Sequence, residues 1–321
     1  MKKIDQGEIQ LISRNSNLSS EQIKSLLKEN VYRDKQSWLK FLQFFCISIG
    51  VGFLTVGIIF FFAYNWDNLH KFAKLGIIQL LIIATVLLAL FLKIKENLKN
   101  IILTGAALLF GVLFAVFGQI YQTGANAYDF FLVWTICITI WVISINFYPL
   151  WLIFIALINT TFILYTEQVA TSLKEIDFCF ILFLINSLFL IGFIIKSKYC
   201  KNDLVPNWFL TILMLIAVFF STVFVMMYID HYNFENNSIY IIMLITVILA
   251  LIGGIYFGYQ SKNLFYLAII PLSFLTMITT LILNSNKEEA AFLIVSSLIM
   301  VSIGLLSAKL IHLQKKWKNE K

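Results

Sequence analysis

Ten apolar runs, each about as long as a helix that crosses a bilayer, dominate this chain. They lie at 39–62, 75–92, 101–120, 130–145, 147–166, 178–195, 208–228, 239–257, 264–283 and 290–308. A helix rises about 1.5 Å per residue and the hydrocarbon core is ~30 Å thick, so ~20 apolar residues make one crossing. A membrane barrel would instead show alternating segments of ~10 residues. Composition agrees: 60% of the residues are hydrophobic and 13% charged, where a soluble domain carries about 25% charged. Too few charges remain to give a chain of 321 residues a wetted surface, which excludes a soluble enzyme. The runs predict an all-α polytopic transmembrane bundle of about ten spans, with neighbouring spans paired as hairpins. The joint Asn146-Phe147-Tyr148-Pro149 separates two of them, because proline suits the first turn of a new helix and one helix over 130–166 is too long for a single crossing.

Lysine and arginine set the orientation. If the N-terminal segment is cytoplasmic, all but four of the 24 basic residues fall on the inner side, the exceptions being Lys71, Lys74, Lys174 and Lys287. Both termini are then cytoplasmic. The net charge of +7 belongs to this asymmetry, and nucleic acid is not the expected partner; the bilayer is. Only two of the basic residues are arginine, Arg14 and Arg33, both before the first run, which disfavours a bidentate anion site inside the membrane. The four cysteines stand singly, without redox or zinc spacing.

The chain divides into a cytoplasmic amphipathic helical segment at 1–38, a four-span module at 39–145, a six-span bundle at 146–308 and a basic cytoplasmic tail at 309–321. In the first, Ser19 and Gln22 have capping-box spacing, and Ile23, Leu26, Leu27 and Val31 mark one apolar face. Such a segment is too short to hold its own core, and it is the candidate surface for a protein partner.

The spans carry almost no ionisable side chain, which argues against a proton relay or voltage sensor. Uncharged polar residues do occur at depth. Asn159 lies eight residues before the loop 167–177 and Asn186 nine after it, so the two amides reach one depth as a mid-membrane polar pair. Interhelical bonding is the plain expectation for them, and a solute path the sharper one. Gly105, Gly111, Ala115 and Gly118 make a small-residue stripe, and Gly254 and Gly258 a GxxxG; both predict close helix packing.

The sharpest local features are two outer span ends. Asn65, Trp66 and Asp67 close the first, while Gln119, Tyr121 and Gln122 close the third, followed by Asp129 and Trp134. Together they are a candidate outer-face mouth of hydrogen-bonding groups over an apolar floor. The competing expectation is an interfacial belt in which Asp67 and Asp129 cap the helices that follow. His70 and His231 lie near acidic residues on the same side, without metal-binding spacing.

At these residues the chain resembles a known group. The span end Ala63-Tyr64-Asn65-Trp66-Asp67, the turn Gly118-Gln119-Ile120-Tyr121-Gln122 and the run Phe130-Phe131-Leu132-Val133-Trp134 are similar to the bacterial domain-of-unknown-function 2157 family. The resemblance covers about residues 1–145 and implies a polytopic inner-membrane protein. It brings no activity, cofactor or catalytic residue with it.

The functional expectation is a transporter-like or envelope-homeostasis protein handling an uncharged or amphipathic solute or lipid from the outer face, without cofactor or metal. The rival readings are a membrane-embedded enzyme on a lipid-linked substrate, using Asp67, His70, Asp129 or His231, and a non-catalytic scaffold. Fold alone does not choose between them.

Overall fold

The computed structural model describes residues 35–64, 69–121, 124, 126–199, 205–232, 238–285 and 289–319, with Ser19, Glu21, Gln22 and Ser25. Ten long helices fill them, and no strand occurs among the described residues. They are α1 Lys35–Tyr64, α2 Lys71–Phe91, α3 Glu96–Tyr121, α4 Ala127–Ile145, α5 Tyr148–Gln168, α6 Glu175–Tyr199, α7 Asn207–Tyr232, α8 Ser238–Gln260, α9 Leu264–Ser285 and α10 Glu289–Asn319. Each is long and apolar enough to cross a membrane. The protein is a multi-pass, all-helical membrane protein. Ahead of α1, Gln22 Oε1 accepts from the Ser19 backbone N–H at 2.9 Å and Ser19 Oγ from that of Gln22 at 3.3 Å, the two bonds of a capping box.

Local chemistry ends the helices where the sequence changes character. At the α4–α5 joint Asn146 adopts φ 47°, ψ 43°, a left-handed C-cap, and Pro149 enters the first turn of α5, where its missing N–H is harmless. The α8–α9 turn closes with Lys262 at φ 52° and with Asn263 Oδ1 accepting from the Phe265 N–H at 3.0 Å. Inside the spans, hydroxyls of Thr55, Thr85, Thr104 and Thr139 donate to carbonyls of the preceding turn, which is how a lone hydroxyl is satisfied in hydrocarbon.

The chain forms two compact units, residues 1–124 and 125–321. In the first, α3 packs against both α1 and α2. Ile78 and Ile82 of α2 meet Leu109, Val112 and Val116 of α3, with Phe62 of α1. α1 packs more closely on α3 than on its expected hairpin partner α2, and the small-residue stripe explains why: a Cβ on Gly105 would stand 2.7 Å from Val51 Cγ1. Lys74, expected in a polar joint, lies in the first turn of α2 and is buried.

In the second unit α4 pairs with α5, α6 with α7, and α9 with α7, α8 and α10. Phe209, Leu213 and Phe224 of α7, Val247 of α8 and Ile270 of α9 are fully buried in one core. Gly258 lets α8 approach α9, since a Cβ there would lie 2.7 Å from Tyr266 Cβ. Two polar links tie α9 to α7: the Thr222 and Ser273 hydroxyls are 2.6 Å apart, and Asn284 Nδ2 donates to the Ile229 carbonyl at 2.7 Å. Pro271 sits inside α9 without ending it. The basic residues from Lys309 to Lys318 continue the helix of the last span, and Trp317 is buried with its ring centre 5.9 Å from that of Tyr259.

Candidate functional site

The best-defined polar centre is the amide pair between α5 and α6. Asn159 Nδ2 donates to Asn186 Oδ1 at 3.1 Å and to the Ile155 carbonyl at 2.7 Å. Asn186 Nδ2 donates to Asn159 Oδ1 at 2.7 Å and to the Leu182 carbonyl at 2.8 Å. All four amide hydrogens are thereby used, and each side-chain oxygen accepts one of them. Both residues are buried, Asn186 completely. A closed amide ring in hydrocarbon holds two helices in register and offers no idle donor to a solute. Aromatic contacts flank it along the same seam. The Phe162 and Phe178 rings stack at 5.8 Å, and Trp151 meets Phe193 edge-on at 5.1 Å.

The residues of the candidate mouth are placed as follows. Asn65, Trp66, Asp67 and Gln122 lie outside the described residues. His70 caps α2, its Nδ1 accepting from the Phe72 N–H at 3.4 Å. Gln119 and Tyr121 are exposed at the end of α3, with the Tyr121 ring 4.7 Å from that of Phe117. In the second unit, Asp129 Oδ2 accepts from the Asn126 backbone N–H at 3.1 Å, which is helix-capping work. The Trp134 ring lies 5.8 Å from Phe131. A further contact went unread in the sequence. The Tyr128 N–H donates to Gln168 Oε1 at 3.1 Å, tying the start of α4 to the end of α5. Only Gln168 being the last residue of a helix that pairs with α4 could have suggested it. His231 lies in the last turn of α7, with its side chain outside the described residues.

A cavity of about 280 Å³ opens among α6, α7, α8 and α9. Leu190, Met214, Leu251 and Phe257 are among its walls, with the hydroxyl-bearing Ser187 and Tyr266. Tyr266 is buried, and its hydroxyl has no hydrogen-bond partner. Gly253 borders the cavity, and a Cβ there would meet nothing within 4 Å. Composition did not point to this space. Small residues on α8 were its one sequence signal, and they read as packing.

The family model described as "Predicted membrane protein (DUF2157)" matches residues 13–151. That stretch takes in α1 to α4 and the first turn of α5, and contains all three motifs on which the resemblance rested. No curated protein and no solved structure matches the chain.

Proposed function

We propose that the protein binds and moves an uncharged or amphipathic, lipid-like molecule, and that the cavity among α6 to α9 receives it. The cavity wall carries the reading. It is almost wholly apolar, which favours a hydrocarbon-rich ligand and penalises an ion that would shed its water there. Tyr266 belongs to that wall but keeps its hydroxyl buried, so the cavity offers a ligand almost no polar surface. In this reading the protein sits in a bacterial inner membrane with both termini cytoplasmic, as the distribution of lysine supports.

The test is to purify the protein from its membrane, wash it in detergent and identify bound small molecules by mass spectrometry. A Gly253→Phe variant places a ring at the cavity margin. A molecule that accompanies the native protein and is lost from this variant supports the reading. An empty native protein, or the same molecule in equal yield from both, rejects it.

A further inference from the structure

Lys196 occupies the last turn of α6 and is held in place from two sides. Its ammonium donates to the Asn146 side-chain oxygen at the α4–α5 joint. It also lies 5.8 Å from the centre of the Tyr148 ring. That ring in turn packs on Phe209 of α7 at 5.2 Å. Below the ammonium a groove of about 520 Å³ runs along α6. Ile185, Leu188, Phe189, Gly192 and Lys196 line it, with Trp151 of α5 at the side.

The spacing of these residues gives the groove its direction. From Ile185 the others follow 3, 4, 7 and 11 positions on, which is one face of a helix. At about 1.5 Å per residue the stripe is roughly 16 Å long, close to half of the ~30 Å hydrocarbon core. The groove therefore has the depth of one leaflet, with a cation and a tryptophan at its headgroup end. Gly192 keeps it open, since a Cβ there would meet nothing within 4 Å. None of the groove residues borders the α6–α9 cavity; Ser187, Leu190, Ile191 and Ile194 face that space from the other side of α6.

An apolar channel of leaflet depth ending at a positioned ammonium is complementary to an anionic amphiphile with a long alkyl chain, and phospholipids are the molecules a bilayer supplies with that chemistry. We infer that the α5–α6 groove is a binding site for an anionic phospholipid, with its phosphate at Lys196 and one acyl chain laid along Gly192, Leu188 and Ile185. The inference stands apart from the proposed function, because it uses neither the cavity nor Tyr266.

The experiment offers the purified full-length protein phosphatidylglycerol or phosphatidylcholine in detergent and counts retained lipid by native mass spectrometry. One basic group at a membrane surface favours an anionic lipid by about fivefold, and the native protein is expected to show that preference. Lys196→Gln removes the charge while its amide can still donate to Asn146, so it is expected to bind both lipids equally. Gly192→Leu fills the channel, and is expected to lose both lipids without a lower melting temperature, since leucine is the better helix former. The Gly253→Phe variant, which bears on the other cavity, is expected to keep the native preference. The site does not exist as described if Lys196→Gln retains the fivefold preference, if the native protein shows none, or if Gly192→Leu retains lipid as the native protein does.

Discussion

Asn159 and Asn186 show what a single residue can be asked to do in hydrocarbon. Each amide uses one hydrogen on its own helix and one on its neighbour's, so neither leaves an unpaired group behind. Replacing one member strands the other. Asn159→Leu is expected to destabilise the protein by ~1–2 kcal/mol, near the ceiling for a hydrogen bond between membrane helices. Reversible unfolding in mixed micelles measures it. The double change with Asn186→Leu is expected to cost less than the two singles together, because the second substitution removes a group already stranded. Strict additivity would mean that the two amides are energetically independent. The depth of this pair was legible because one short loop joins the two spans, so counting residues from that loop fixes both. The Thr222–Ser273 and Lys196–Asn146 bonds were not legible. Their partners are 51 and 50 residues apart, and counting gives depth along a span but not the direction a side chain faces.

Elements were easier to read than their ends. Every apolar run became a helix, yet α1 begins at Lys35 and α10 runs on to Asn319, well past the apolar residues. Hydropathy reports what a helix lies in, whereas its ends depend on caps and on contacts outside the hydrocarbon. The last turns of α10 are a case in point, since Trp317 is buried near Tyr259. Trp317→Ala is expected to speed amide hydrogen exchange in residues 309–319 and to leave α7 unchanged. Equal protection in the variant would show that the extension needs no docking. Glycines give the element-scale contrast. At Gly258 an added Cβ would collide with Tyr266 Cβ, which cannot swing away, so Gly258→Val is expected to cost ~1–3 kcal/mol by forcing α8 from α9. At Gly253 the space is open, and Gly253→Ala is expected to be neutral or to stabilise by up to about 1 kcal/mol. Thermal unfolding of the two variants in one detergent compares them, and a Gly258→Val protein as stable as the native one would refute the close contact.

For the whole molecule, the apolar runs were enough to read a membrane protein with ten long helices among the described residues, and the motifs enough to read the family match over residues 13–151. The candidate mouth was less accessible to the same reasoning. A motif of aromatic, amide and acid residues at a span end has one composition whether it caps a helix or contacts a ligand, and Asp129 is engaged in capping. Orientation, by contrast, rests on the whole set of lysines and arginines, and one experiment decides it. In a background with the four cysteines replaced, Asn126→Cys and Ser261→Cys each place one thiol in an exposed turn. Asn126 precedes α4 and Ser261 follows α8. Counting spans between them puts the two positions on opposite sides of the membrane. With all but four of the 24 basic residues on the side of Ser261, the cysteine at 126 is expected to react with an impermeant maleimide in intact spheroplasts. The cysteine at 261 is expected to react only after the membrane is opened. The reverse pattern would put the basic side outside, move the Lys196 groove to the outer leaflet and leave its geometry unchanged. Labelling of both in intact spheroplasts would instead require an odd number of the helices between them to lie outside the bilayer.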